Sequence, residues 1–266
     1  MPRNQKYWKN RFGDPFGKTQ SYYHHLDLRH IDDLDDIGFA YIMEGVKGVD
    51  MLDLNELEIT NESIRLLAGL DYVKELQLKG CSVDNDCVKD LNTITSLELL
   101  HLKNTNITID GLLHLDKLTL LKTLMFSAED VDTIKEKLLQ LKNLLPQCDF
   151  VINSKPYYFD PVERFIYAVK AQPYTYRLKI KNESLNIPWS NWVIKPSDSY
   201  YETENQGPFP VNEIEWIEVD PIEERKDGKL ITVKLEDHTE EIEKLLEELS
   251  IPYMEVEEII RIYIVK

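Results

Sequence analysis

The segment VKELQLKGCSV, residues 73–83, contains the pattern that decides the fold of the N-terminal half of the chain. Leu76 and Leu78 stand two residues apart, as the inward side chains of one strand do, and Val73 precedes them by three residues. The same arrangement recurs at a constant spacing in two columns: Leu52, Leu76, Leu100, Leu124 and Cys148; Leu54, Leu78, Leu102, Phe126 and Phe150. A fixed 24-residue period indicates a stack of similar structural units.

The remainder of each 24-residue unit has a turn followed by helical spacing. Two turn columns contain Leu57, Cys81 and Thr105, then Ile59, Val83 and Ile107. Three apolar residues at intervals of three follow in each unit: Ile64, Leu67 and Leu70; Val88, Leu91 and Ile94; Leu112, Leu115 and Leu118. Each unit is therefore predicted to form a strand, a turn and a helix, and a looser unit from Leu26 to Met43 is predicted to cap the N-terminal end.

These columns resemble the leucine-rich-repeat family over about residues 21–153. The resemblance implies an α/β solenoid with a curved parallel sheet and with helices outside. Many members of the family carry Asn at the turn, where this chain has Leu57, Cys81 and Thr105. The chain therefore departs from the family pattern at the position of the buried Asn ladder.

The side chains that alternate with the buried columns are predicted to project from the concave face of the sheet. They form three rows: Asp53, Gln77, His101 and Met125; Asn55, Lys79, Lys103 and Ser127; Met51, Glu75, Leu99 and Thr123. The predicted partner-binding residues of this face are Asp53, Asn55, Gln77, Lys79, His101, Lys103 and Met125. The mixture of polar, charged and apolar types suits a protein-binding surface, although any solvated sheet face must also be polar.

The 24-residue period ends after Ile152, which predicts a basic N-terminal segment (1–20), a repeat domain (21–155) and an acidic α+β domain (156–266). Asp160 and Pro161 have the character of an N-cap and a first helical residue. The rest of this domain is predicted as a loop over 197–210, a hairpin of strands 213–220 and 230–237 around Asp227 and Gly228, a helix over 239–250 and a closing strand over 253–265. These elements predict a small antiparallel sheet with helices.

The charge of the chain predicts the chemistry of its partner. The sequence has 31 Lys and Arg against 48 Asp and Glu, a formal net charge of −17, and residues 202–224 contain eight carboxylates and no base. The negative electrostatic field of such a chain repels nucleic acid and attracts a basic protein. The alternative is that the acidic residues only keep the chain soluble. The predicted acidic binding residues are Glu202, Glu204, Glu213, Glu215 and Glu218.

Metal binding and catalysis have weaker support in the sequence. The histidines and aspartates between His24 and Asp33 could ligate a metal, but a solvated edge explains them, so neither a metal nor a cofactor is predicted. The set comprises His24, His25, His30, Asp27, Asp32 and Asp33. The sequence has no recognisable nucleophile motif, and Cys87 is its only candidate reactive thiol, so no enzyme is expected.

The predicted compartment is the cytoplasm. The first twenty residues have no continuous apolar run, and three cysteines cannot form a complete disulfide framework. The predicted function is that of an inhibitor or immunity protein that neutralises a basic partner, such as a toxin nuclease, without contact with nucleic acid or membrane. The alternatives are an adaptor that joins two proteins, and an enzyme with a site around 189–192 and 197–209.

Overall fold

The computed structural model describes residues 3–181, 187–197, 199–204, 206–227 and 232–264. The chain divides into two compact units, Met1–Tyr157 and Tyr158–Lys266, called here the N-terminal unit and the C-terminal unit. None of the helices formed by the described residues combines the length and the apolar character that crossing a bilayer requires.

The N-terminal unit is a seven-stranded sheet that alternates with helices. Its strands are β1 (Tyr22–Asp27), β2 (Gly48–Asp53), β3 (Tyr72–Gln77), β4 (Leu99–Leu102), β5 (Thr123–Phe126), β6 (Asp149–Ile152) and β7 (Lys155–Tyr157). Its helices are α1 (Gln5–Phe12), α2 (Asp36–Ile42), α3 (Asn61–Leu67), α4 (Val88–Leu91), α5 (Ile109–Leu112) and α6 (Lys135–Leu144). The strands follow chain order, each pair from β1 to β6 is parallel, and β7 is antiparallel to β6. The predicted parallel sheet with alternating helices is confirmed.

The 24-residue period is the pairing register of the central strands. Leu52 pairs with Leu76, Leu76 with Leu100, and Leu100 with Leu124. All four side chains are fully buried, as are Ile64, Leu91 and Leu112 from the helical columns. Burial of apolar side chains drives the stacking, because one unit alone would leave its apolar face in water.

The last repeated unit of the sheet departs from the predicted columns. Leu124 pairs with Phe150 and Phe126 pairs with Ile152, so the final step of the register is longer than the 24-residue period by two. Cys148 is buried but lies just before β6, so the prediction that it occupies the column of Leu124 was wrong. The cause is local, because α6 has 10 residues where α4 and α5 have 4 each.

One position of the 24-residue period has a left-handed backbone in three successive units, where the chain leaves its strand. The φ angles are 62° at Glu56, 73° at Gly80 and 56° at Asn104. Glycine adopts this conformation without a clash of Cβ and asparagine tolerates it, whereas glutamate is strained there. The bend after each strand is thus repeated even where its residue type is not.

The basic N-terminal segment forms α1, which packs against α2 in the first of the repeated units. Trp8 is fully buried, and a Cβ at Gly38 of α2 would lie only 2.4 Å from Cε2 of Trp8. Arg3 Nε lies 3.3 Å from Oδ2 of Asp35, and Arg11 pairs with the Asp33 carboxylate. The absence of a side chain at Gly38 is therefore what allows the indole to cover α2.

The C-terminal unit contains three antiparallel sheets and two helices within its described residues. The strands are β8 (Thr175–Ile180), β9 (Val193–Ser197), β10 (Tyr200–Thr203), β11 (Phe209–Pro210), β12 (Ile214–Asp220), β13 (Ile222–Asp227), β14 (Thr232–Asp237), β15 (Tyr253–Val256) and β16 (Ile259–Tyr263). The helices are α7 (Pro161–Val169) and α8 (Thr239–Glu248). The sheet orders are β15-β16-β12-β8, β11-β10-β9 and β13-β14. The predicted antiparallel sheet is confirmed, and Asp160 caps α7 by accepting from the backbone N of Val162 at 2.9 Å.

Several details predicted for this unit were wrong. β12 pairs with β8 and β16, and the hairpin is formed instead by β13 and β14, while Gly228 and Leu230 lie outside the described residues. The predicted loop over 197–210 contains β10 and β11. The closing strand is a hairpin of β15 and β16 that turns at Glu257 and Glu258, and Val265 lies outside the described residues. Antiparallel strands that pair across long stretches of sequence show no common period, so their pairing could not be predicted.

Candidate binding surfaces

The first predicted row of the sheet face exists as neighbouring residues in the pairing register. Asp53 pairs with Gln77, Gln77 with His101, and His101 with Met125. Gln77, His101 and Met125 are half-buried, whereas Asp53 is only 9% exposed. The row thus joins an anion, an amide, an imidazole and a thioether across four strands.

His101 lies at the centre of this row as a neutral side chain. Its Nδ1 lies 2.8 Å from Oε1 of Gln77, an acceptor, which makes Nδ1 the protonated nitrogen. Burial lowers the pKa of His101, and the charges of Lys79 and Lys103 lower it further. Among the described residues, the buried Nε2 has no hydrogen-bond partner. The row therefore has at its middle a buried acceptor that no described residue uses.

Contacts within the N-terminal unit hold the second predicted row in place. The backbone N of Lys79 donates to Oδ1 of Asn55 at 2.7 Å, and Lys79 Nζ lies 2.7 Å from Oε1 of Glu56. Lys103 Nζ donates to Oγ of Ser154. Asn55 therefore links two successive 24-residue units. The ammonium groups of Lys79 and Lys103 each contact a partner.

A column of alternating charge along the same sheet escaped the sequence analysis. Asp50, Lys74, Glu98 and Lys122 occupy one position of four successive 24-residue units. Lys74 Nζ lies 2.6 Å from Oδ1 of Asp50, and Lys122 Nζ lies 2.5 Å from Oε2 of Glu98. The hydrogen bond from Lys74 lowers the pKa of Asp50. The signal was present as a column of opposite charges one unit apart, but the prediction rested on apolar columns alone.

The acidic residues predicted to bind a partner differ in exposure. Glu204, Glu213 and Glu215 are exposed and Glu202 is half-buried. Glu204 Oε2 accepts from Nδ2 of Asn191 at 2.7 Å. Glu213 and Glu215 are therefore the residues of this set that present their charge most openly.

Glu218 was wrongly assigned to this exposed surface. It is 1% exposed and lies on β12, the second strand from the β8 edge of its sheet, directly between Arg177 on β8 and Arg261 on β16. Arg177 Nε donates to its Oε2, and Arg261 donates to its Oε1 from Nε at 2.9 Å and from Nη2 at 2.6 Å. Both carboxylate oxygens are used inside the fold, so Glu218 cannot receive a partner.

Two tryptophans cover the arginines of this triad. The guanidinium of Arg177 lies 4.5 Å from the centroid of the Trp189 ring, and that of Arg261 lies 4.6 Å from that of Trp216. Cation–π contacts of this kind stabilise a guanidinium in a fixed position. The segment around Trp189, where an enzyme site was considered, contributes here to a structural triad.

Three of the six residues considered for a metal near the N-terminus take other partners: His24, Asp27 and Asp33. His24 Nδ1 lies 2.9 Å from Oδ2 of Asp50, and Arg29 hydrogen-bonds to Asp27 and lowers the pKa of that carboxyl to about 2. The hydrogen bond from Arg11 lowers the pKa of Asp33. Within the described residues, no three of these side chains bring ligand atoms together.

Cys87 is not the exposed thiol that a nucleophile requires. All three cysteines are free and buried, and burial raises the pKa of Cys81, Cys87 and Cys148 to about 12 each. A thiol with such a pKa is protonated at neutral pH and unreactive. The interpretation of Cys87 as a candidate reactive thiol was therefore wrong.

The C-terminal unit contains a segment similar to a known protein family. Residues 170–264 match the family DUF6678, which is described as a family of unknown function. The matched segment spans less than half of the chain and contains β8 to β16, with the triad of Arg177, Glu218 and Arg261. No curated protein matches the chain. The similarity therefore brings no activity or partner to this chain.

Proposed function

We propose that the N-terminal unit is a leucine-rich-repeat solenoid and that the protein acts by binding another protein. The support for the repeat is the coincidence of the 24-residue columns with the register of β2 to β5. The left-handed positions at Glu56, Gly80 and Asn104 follow the same period. Stacked repeats of this kind use the exposed face of their sheet for binding.

The observation that carries the binding role is the in-register row Asp53, Gln77, His101 and Met125. A rigid sheet presents these four side chain types side by side, and contacts such as that of His101 with Gln77 hold them in place. Preorganised groups lose little conformational entropy on association, which favours tight binding.

The concrete form of the proposal is an inhibitor or immunity protein directed at a basic partner, such as a toxin nuclease. The C-terminal unit has 23 Asp and Glu against 13 Lys and Arg, a net charge of −10, and the N-terminal unit has 25 against 18, a net charge of −7. A negative field accelerates the encounter with a positive protein and repels nucleic acid. Glu213 and Glu215 are the exposed carboxylates that we assign to this steering, and Glu202 and Glu204 add to the charge of the same unit.

The proposal places the protein in the cytoplasm and gives it neither cofactor nor catalytic role. Its three cysteines are buried free thiols, which suits a reducing compartment. With their pKa near 12, these thiols are unsuited to nucleophilic catalysis.

A low-salt affinity capture from native lysate tests the proposal when it compares three forms of the full chain. The forms are the native protein, a sheet-face variant (Gln77→Ala with His101→Ala) and an acidic variant (Glu213→Lys with Glu215→Lys). A basic protein that the native form retains and the sheet-face variant loses supports the proposal. Equal recovery of every protein by the native form and both variants would contradict it.

An adaptor is the second candidate, and the difference in charge between the two surfaces favours it. The centre of the sheet face contains Lys79, Lys103 and a neutral His101, whereas the C-terminal unit is strongly acidic. A surface of mixed charge and a strongly acidic one suit two different partners. In the same capture experiment, an adaptor would lose one protein with the sheet-face variant and a different protein with the acidic variant.

A further inference from the structure

A group of three potential metal ligands lies where the β13–β14 hairpin meets α8. Within the described part of the chain, Glu223, Glu236 and His238 form the one group of three or more such side chains with ligand atoms within 4.8 Å of one another. Glu223 and Glu236 are direct cross-strand partners, and His238 follows Glu236 by two residues. The backbone N of His238 donates to the carbonyl of Pro221 at 3.1 Å, which ties the histidine to the start of β13.

The distance between His238 and Glu223 suits a small cation. Nε2 of His238 lies 3.5 Å from Oε2 of Glu223. Two ligands of a tetrahedral zinc ion are separated by about 3.4 Å, since zinc bonds to nitrogen and oxygen measure roughly 2.0–2.2 Å. The two side chains are each 18% exposed. The side chains are thus partly exposed, while the two facing atoms, Nε2 of His238 and Oε2 of Glu223, are shielded from water.

The orientation of His238 is the second observation that points to a metal. Its Nδ1 lies 3.2 Å from Oε2 of Glu241, and the Tyr174 hydroxyl donates to the same oxygen at 3.4 Å. A proton on Nδ1 leaves the lone pair on Nε2, and this nitrogen is buried with no hydrogen-bond partner among the described residues. Metal-binding histidines are commonly held in this way, by a carboxylate on the nitrogen that does not bind the metal.

The charge of the hairpin also favours a cation. Like charges directly opposite each other in an antiparallel ladder repel, and Glu223 and Glu236 are such a pair. Lys234 Nζ lies 3.2 Å from Oε1 of Glu236. A divalent ion between the carboxylates attracts both of them and accepts the imidazole nitrogen as well.

We propose that Glu223, Glu236 and His238 bind a divalent transition-metal ion, with zinc as the best fit, and that Glu241 and Tyr174 position the histidine. One nitrogen and two carboxylate oxygens match the preference of zinc, whereas calcium takes six to eight oxygens. Three protein ligands leave a fourth position for water or for a ligand from a partner. The sequence signal was Glu-x-His at the end of a strand, with a second Glu at the paired position.

Isothermal titration of the full chain with Zn²⁺ at pH 7.5 tests the site, using protein freed of any affinity tag and of bound metal by a chelator. We expect one ion per chain. His238→Gln and Glu223→Gln should each abolish this binding, and Glu241→Gln should weaken it by roughly 10–100-fold because it removes only the outer support. Glu247→Gln on the exposed side of α8 is the matched control and should bind as the native chain does.

Three results would overturn the proposal. One is no heat of binding up to millimolar Zn²⁺, and another is unchanged binding by Glu223→Gln. The third is equal binding of Ca²⁺ that survives His238→Gln, which would indicate carboxylates acting without the imidazole. Circular dichroism of each variant verifies folding, and if His238→Gln does not fold, Glu223→Gln and Glu241→Gln decide the outcome.

Discussion

The two units of this chain place charged side chains in the fold by different means. In the N-terminal unit, charged partners stand one repeat apart, as Lys74 does from Asp50 and Lys122 from Glu98. In the C-terminal unit, Glu218 meets Arg177 and Arg261, which are 41 and 43 residues away. The first arrangement lies on the surface, where ion pairs contribute little, and the second is buried, where losing one partner is severe. Exposure, rather than charge density in the sequence, thus decides what a carboxylate does.

Replacing the buried carboxylate gives the largest expected effect. Glu218→Lys puts a cation between two arginines inside the sheet and should lower the free energy of unfolding by at least ~3–5 kcal/mol, enough to unfold the C-terminal unit. Urea unfolding followed by circular dichroism measures the change. Glu215→Lys, on the same strand but exposed, is the control and should stay within ~0.5 kcal/mol of the native chain. Equal effects of the two variants would refute the distinction between them.

The repeat core should respond almost as strongly to a cavity. Leu100→Ala empties a fully buried position between Leu76 and Leu124 and should cost ~2–5 kcal/mol in the free energy of unfolding. Leu120→Ala, at a position that is 57% exposed, serves as the control. A cost for Leu100→Ala no larger than that of the control would mean that the 24-residue column is not the core of the unit.

Reversing the exposed acids should act on association and leave the fold intact. Glu213→Lys with Glu215→Lys should slow binding of the captured partner by roughly tenfold at low salt, because steering charges act on encounter. Stopped-flow or surface-based kinetics over a range of salt concentrations measure this, and the difference should vanish at high ionic strength. Glu213→Gln with Glu215→Gln should give a smaller slowing. Unchanged association rates in both variants would leave the acidic unit without a steering role.

The smallest expected effect concerns His101. Because its folded-state pKa is lowered from the ordinary value of 6.5, the folded chain favours the neutral imidazole. Its contribution to stability is therefore complete above pH 6.5 and is lost as the pH falls from 6.5 through the lowered pKa. Urea unfolding at pH 7.5 and at pH 5.5 should show a smaller loss for His101→Gln than for the native chain. The exposed His114→Gln should keep the native dependence, and a pH dependence shared by all three chains would count against burial of the imidazole.

The sequence predicted the N-terminal unit well because its contacts recur at one spacing. Strands β2 to β5 and their row of outward residues follow from the columns of Leu52 and Asp53. The same rule failed at Cys148, where α6 is longer than α4 and α5 and the register step is longer by two. The segment KEKLLQLKNL of α6 is rich in strong helix formers, a signal that a prediction from columns alone did not use.

In the C-terminal unit, the sequence predicted elements better than their partners. The helix start at Asp160 and a hairpin near Asp227 were found from local signals. Glu218 was misplaced because the prediction rested on the density of carboxylates over 202–224, which does not distinguish an exposed carboxylate from a buried one. Only the pairing of β12 with β8 and β16 shows that two arginines cover that side.

Hydrogen bonds between equivalent positions of neighbouring 24-residue units limit how such a chain can lengthen. Thr60 bonds to Asp36 and Asn92 bonds to Asp116, each across one 24-residue step. A tandem duplication of one such step in the gene would supply its own strand, bend and bonding partners, whereas an insertion of any other length would leave them mismatched. Each duplicated step would widen the face of the sheet by about 4.8 Å, the distance between neighbouring strands. The area of that face can therefore grow only in whole increments.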